Sequence, residues 1–202
     1  MIYTTRFSDA LVLAHELHRL QKRKGTDIPY VSHLLLVTGI AIEHGANEDE
    51  AIAALLHDAL EDSDATVESL TAQFGATVAQ TVAGCTDDMP GVDRSSVAGW
   101  QQRKEAYLAH LTEEYLTASI LLVSCADKLA NARSILADIH QSGDAVFSRF
   151  KAGKPGTLWY YRALSNCFIT LSASSLTMGR PGLVSLIAEY ERAVTELEHA
   201  AG

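Results

Sequence analysis

The stretch ALLHDALEDSD at positions 54–64 sets His57, Asp58, Glu61 and Asp62 directly behind an apolar run. Ala53, Ala54, Leu55 and Leu56 steer this segment into a core, where an uncompensated carboxylate or imidazole is expensive to hide. The cluster therefore needs either a solvated helix end or a bound divalent cation. On a helix Glu61 stands four residues after His57 and three after Asp58, and Asp62 stands four after Asp58, so these pairs are surface neighbours. His57 and Asp58 are adjacent and point about 100° apart, so one ion serves both only if it sits over the edge between them. Further ligands must come from other segments. His33 heads a buried-looking apolar run after Pro29 and Tyr30, and Asp127 follows a long apolar stretch in ILLVSCADKLANARS. Taken singly, His33 reads as a core or capping histidine and Asp127 as a solvated or capping carboxylate. Together, His33, His57, Asp58 and Asp127 form a mixed nitrogen and oxygen set suited to a six-coordinate ion such as manganese, with positions left for water and substrate. That chemistry is hydrolytic.

The elements that must carry these residues read as helices almost throughout. Ser8 can cap a first helix whose Leu13, Leu17 and Leu20 share a face and which ends in the basic QKRKG. A second starts at Pro29-Tyr30 and runs to Gly45, with proline near its start and glycine past its end. Asn47 caps a third through EDEAIAALLHDALED, whose first turn is acidic, as the helix dipole favours. A helix from Thr66 to Phe74 and a short successor to Ala83 follow, before the loop-like GCTDDMPGVDRSS. Beyond it the spacing predicts helices over Val97–Leu111, Ala118–Ile139, Gly156–Thr177 and Pro181–His199. No segment alternates as a strand does, and no linker or repeat divides the chain. The expectation is an all-α fold in a single domain over residues 1–202.

Composition narrows the partners. A chain of 202 residues that is 48% hydrophobic can bury one sizeable core. The net charge of -9 argues against a nucleic-acid binder, which needs a positive footprint. Cys85, Cys125 and Cys167 lie far apart and form no CxxC, so they read as small packing residues of a reducing compartment and imply no zinc-thiolate site. The N-terminal MIYTTRFSDA lacks a signal pattern and no apolar run reaches membrane-spanning length. A cytoplasmic protein without nucleic-acid or membrane partners is expected.

His57-Asp58 followed by Glu61-Asp62, with His33 upstream and Asp127 downstream, resembles the HD superfamily of metal-dependent phosphohydrolases. Within it the chain is similar to the small alarmone hydrolases of the RelA/SpoT homologue family. That narrower resemblance rests on HRLQKRKGTDIPYVSH at 18–33, the block from Ala53 to Val82, GCTDD at 84–88 and ADKLANARS at 126–134. The resemblance implies an HD-type helical bundle, its core over about residues 10–140 and completed by C-terminal helices at about 156–199. It implies a single divalent ion, manganese, on His33, His57, Asp58 and Asp127, and a catalytic acidic pair in Glu61 and Asp62. A carboxylate one hydrogen bond from the attacking water can take its proton and aim it at phosphorus. Arg23 and Lys24 align with the family's basic pair beside the nucleotide, where Arg can lie flat on a purine and Lys can meet phosphate. Asn131 and Ser134, on the turns after Asp127, are the expected contacts to sugar or base. Lys154, in the Gly/Pro-rich FKAGKPGTLWYYRAL, is a candidate for the outer phosphates, and a surface turn before core aromatics is the equal alternative. The implied activity is hydrolysis of the 3′-pyrophosphate of a (p)ppGpp-type alarmone. Two alternatives stay open: the same chemistry on another nucleotide, such as an adenosine alarmone, a nucleoside monophosphate or an NADPH-like dinucleotide, and a non-catalytic nucleotide-binding module.

Overall fold

The computed structural model describes residues 3–87, 89, 91–112 and 115–202. Among them the secondary structure is helical, apart from one isolated antiparallel bridge between Lys22 and Pro29. The chain folds into two compact units, residues 1–86 with 117–127, and residues 87–116 with 128–202.

In the first unit, α1 (Thr5–His18), α2 (Val31–Glu43) and α6 (Ala76–Cys85) pack around α3 (Glu48–Leu56), and α5 (Val67–Phe74) packs on α6. Every residue of α3 from Glu50 to Leu56 is buried, so α3 is the core of this unit. Asn47 caps it as expected, in a full capping box with Glu50. Glu50 is itself only 2% exposed. Its carboxylate survives there because Asn47 N–H donates to it at 2.9 Å and the Ser119 hydroxyl at 2.7 Å. Ser119 begins α8 (Ala118–Ser142), so one buried carboxylate joins the start of α3 to the start of the helix that carries Asp127. Gly84 lets α8 come close: a Cβ there would collide with the Ile120 side chain. The first helix starts earlier than expected. Thr4, not Ser8, is the N-cap and accepts from Arg6 N–H at 3.2 Å. Arg6, in the first turn, donates to Asp49 at 2.8 Å and to the Phe74 carbonyl at 2.7 Å, which favours the longer helix.

In the second unit, α9 (Gly153–Ser172) packs against α10 (Pro181–Ala201) and α7 (Val97–His110). Arg162 on α9 grips Glu191 at 2.9 Å and Glu198 at 3.0 Å on α10, and Phe168 meets Tyr190 edge to face at 5.2 Å. α9 begins three residues before the expected Gly156, since Pro155 is tolerated in a first turn. Asp87 is held between Arg103, at 2.6 Å, and Lys104. Burial would raise the Asp87 pKa, but Lys104, Lys128 and Arg103 outweigh it and hold the carboxyl below its ordinary range.

A carboxyl whose pKa is depressed on folding stabilises the fold above its unfolded pKa and loses that contribution as pH falls. Asp87→Asn should therefore cost about 3–5 kcal/mol at neutral pH, because it strands largely buried cations. The deficit should begin to shrink below about pH 4, where Asp87 protonates in the unfolded chain, and vanish only as pH falls through its lower folded pKa. Urea unfolding of both proteins across pH checks this, and a deficit that is independent of pH would contradict it.

Candidate metal and catalytic site

The third helix does not run through the HD doublet. α3 ends at Leu56, His57 is its C-cap, and Asp58 (φ -98°, ψ 0°) starts the short α4 (Ala59–Asp62). This break frees two adjacent residues from the helical 100° rule, so both can aim at one point. His57 Nε2 lies 3.0 Å from the Asp58 carboxylate and 3.6 Å from that of Asp127. His33 Nε2, from α2, lies 3.1 Å from Asp127 and 3.7 Å from Asp58. All four predicted residues converge, all within the first unit. Both imidazoles are buried, 4% exposed for His33 and 3% for His57.

The orientation of His57 is set by its Nδ1, which is 2.9 Å from the Ala54 carbonyl and donates to it. Its Nε2 then points inward. That nitrogen is buried and, although 3.0 Å from a carboxylate, makes no directed hydrogen bond among the described residues. A donor atom aimed at a cluster without a hydrogen bond suits coordination to a shared cation. His33, His57 and Asp58 present ligand atoms within 4.8 Å of one another, a possible site for a divalent metal. The electrostatics agree. Burial alone would lower the His57 pKa, yet the Asp58 and Asp127 carboxylates raise it well above the ordinary imidazole value. Burial would raise Asp58, yet the His57 charge beside it pulls it below the usual carboxylate range. His33 is lowered, chiefly by burial and despite Asp127, with His57 and Arg23 adding to the effect. Positive charge is wanted among these donors.

Glu61 and Asp62 follow on α4, half-buried and exposed respectively, and both backbone N–H groups return to the Asp58 carbonyl, at 3.2 and 3.0 Å. The Arg23 guanidinium stands over the Tyr30 ring at 5.9 Å, and Lys24 beside it is exposed. Asn131, Ser134 and Lys154 belong to the second unit, all three half-buried. Lys154 lies on the first turn of α9 rather than in a loop, donates to Asp144 at 2.8 Å and also to the Ala201 carbonyl. Asp88 of the GCTDD block lies outside the described residues.

Sequence reasoning passed over three residues. The Tyr30 hydroxyl donates to Asp58 at 2.6 Å, and Gln21 donates to Asp62 at 2.9 Å with His18 behind it. Burial, then the Asp58 charge, raise the Tyr30 pKa, so its hydroxyl stays protonated and remains a donor. All three lie in the block at 18–33, but only the folded turn shows what they reach.

Residues 10–158 match the HD domain family model. The chain is 37% identical over 127 residues to the Danio rerio guanosine-3′,5′-bis(diphosphate) 3′-pyrophosphohydrolase MESH1, a match covering 60% of this chain and 64% of that protein. It is 34% identical over 126 residues to a probable GTP pyrophosphokinase of Mycobacterium leprae, of which the match covers only 15%, against 62% of this chain. The chain thus spans less than two thirds of either relative. Among solved structures, that of a metazoan orthologue of SpoT, described as hydrolysing ppGpp and acting in starvation responses, aligns with a TM-score of 0.70 at 25% identity, over 95% of this chain and 97% of that one. The fold and the family match place the chain in the HD-domain family.

Tyr30 fixes a candidate ligand without itself reaching an ion. Outer partners of metal ligands typically contribute 10–100-fold to affinity. Tyr30→Phe should weaken manganese binding by roughly that factor while its thermal unfolding stays cooperative. Titration calorimetry with Mn²⁺ tests this, and unchanged affinity would show that the hydrogen bond does not orient Asp58.

Proposed function

We propose that this chain is a metal-dependent phosphohydrolase that removes the 3′-pyrophosphate of a (p)ppGpp-type alarmone. The observation that carries the reading is the convergence of His33, His57, Asp58 and Asp127 on one point, beside an acidic pair, in a chain of the HD-domain family. Support for the substrate class comes from MESH1, whose name states that reaction, and from the metazoan SpoT orthologue, described as hydrolysing ppGpp. The four residues would hold one divalent ion, Mn²⁺ in this proposal. Such an ion supplies Lewis acidity, polarising the phosphoryl group and acidifying water.

The chain's own residues would then divide the work. Glu61 accepts the proton of the attacking water, with Asp62 beside it orienting that water. The water oxygen bonds to phosphorus as the bond from the ribose 3′-oxygen to phosphorus breaks, and a proton reaches the 3′-oxygen. The products are pyrophosphate and the nucleoside 5′-diphosphate or triphosphate. Arg23, whose guanidinium already stands over one aromatic ring, is suited to a purine face, and Lys24 to phosphate. Asn131, Ser134 and Lys154 keep their proposed roles as substrate contacts. For Lys154 that role requires release from Asp144 and Ala201. The whole of residues 1–202 would act as one hydrolase domain in the cytoplasm, on a small nucleotide and without nucleic acid. No helix among the described residues is long and apolar enough to cross a membrane.

Purified protein with Mn²⁺ should convert ppGpp to GDP and pyrophosphate, resolved by anion-exchange chromatography. The adenine counterpart, NADPH and a nucleoside 3′-monophosphate belong in the same panel. A preference for the monophosphate over every 3′-pyrophosphate would replace the alarmone reading with that of a general nucleotidase. In the same assay Glu61→Gln should keep its metal and lower turnover by roughly 100-fold, the scale of a positioned base. Normal turnover with weak binding would make Glu61 a substrate contact instead.

A further inference from the structure

The turn between α1 and α2 holds two polar arms side by side. Tyr30 N–H donates to the Gln21 carbonyl at 2.9 Å and Arg23 N–H to that of Ile28 at 2.8 Å, so Gln21 and Tyr30 face each other across the isolated bridge of Lys22 and Pro29. Both arms reach α4. Tyr30 meets Asp58, and the Gln21 side-chain amide donates from Nε2 to Asp62 Oδ2 at 2.9 Å. Asp58 and Asp62 are one helical turn apart, with Asp62 N–H on the Asp58 carbonyl at 3.0 Å.

Behind Gln21 stands His18, the last residue of α1 and 1% exposed. Its Nδ1 is 2.6 Å from Gln21 Oε1, and its ring packs on that of Tyr30 at 5.3 Å. The chemistry admits one orientation. A carboxylate only accepts, so the Gln21 NH₂ must face Asp62 and Oε1 must face His18. Oε1 also only accepts, so His18 Nδ1 carries the hydrogen. Its Nε2 is then left buried without a hydrogen-bond partner among the described residues. An exposed carboxylate such as Asp62 would otherwise sample several rotamers in water. Here a buried imidazole fixes an amide, and the amide fixes the carboxylate.

We propose that Gln21 is a positioning residue for hydrolysis: locked by His18, it holds the Asp62 carboxylate in the rotamer that orients the attacking water. The inference rests on the reading of Asp62 as half of the catalytic pair. A purely structural Gln21, tying the turn to α4, would act on stability and not through Asp62.

A double-mutant cycle separates these roles. Wild type, Gln21→Ala, Asp62→Asn and the double variant are compared for kcat and KM on ppGpp with Mn²⁺, together with bound manganese and Tm. Gln21→Ala should lower kcat about tenfold or more, with KM, metal content and Tm little changed. In the Asp62→Asn background the same substitution should cost less than about twofold. If Gln21→Ala unfolds, Gln21→Met, which keeps the stem but lacks the amide, takes its place in the cycle with the same expected result. Equal losses in both backgrounds, a loss that tracks Tm or metal content, or wild-type turnover in the Gln21 variant would each overturn the inference and leave the role of Asp62 standing. Wild-type turnover in Asp62→Asn would instead remove Asp62 from the catalytic pair, and Gln21 with it. Absence of ppGpp turnover by the wild type would overturn the functional reading and this inference together.

Discussion

Two imidazoles, each with its Nε2 3.0–3.7 Å from both of two carboxylates, set the terms for the first unit. Buried charges of one sign are unfavourable unless the other sign is supplied. The two carboxylates raise the proton affinity of His57, and the His57 charge lowers that of Asp58. A divalent cation answers the same need with more charge. Much of the surrounding architecture keeps that demand in place. The all-buried α3 delivers His57, the Ala54 carbonyl turns its ring, Tyr30 holds Asp58, and the Glu50–Ser119 contact anchors the start of the helix that bears Asp127.

The break after Leu56 is what makes the HD doublet usable. An unbroken helix would splay His57 and Asp58 and require the ion to sit over their shared edge. Ending α3 at Leu56, with His57 as its C-cap, and restarting at Ala59 brings both side chains onto one centre. It also turns α4 so that Glu61 and Asp62 follow Asp58 within a single turn. The candidate metal ligands His57 and Asp58 and the proposed catalytic pair thereby share one short stretch of backbone.

The sequence made the helices and the four candidate ligands legible because both depend on local signals. Apolar spacing marks a helix, the Asn47 capping box marks its start, and a polar cluster behind an apolar run marks a site. What stayed hidden depends on contacts distant in the chain. Thr4 displaced Ser8 as the first cap because Arg6 reaches Asp49 and Phe74. The break at His57 carries no proline or glycine to announce it. Tyr30, Gln21 and His18 look like ordinary turn and helix-end residues until the turn folds them against α4. The roles of Asn131 and Ser134 rest on resemblance, since their types and spacing fit a helix surface equally well, and that of Lys154 rests on a basic residue in a Gly/Pro-rich segment, which fits a surface turn equally well.

In the proposed site one ion is shared by residues from three separate segments. Diffraction from crystals of the manganese-loaded protein, recorded on both sides of the manganese absorption edge, tests it most directly. A single anomalous peak is expected within coordination distance of Nε2 of His33 and of His57 and of carboxylate oxygens of Asp58 and Asp127. A peak that excludes His57 or Asp127, or one bound only by exposed carboxylates elsewhere, would contradict it.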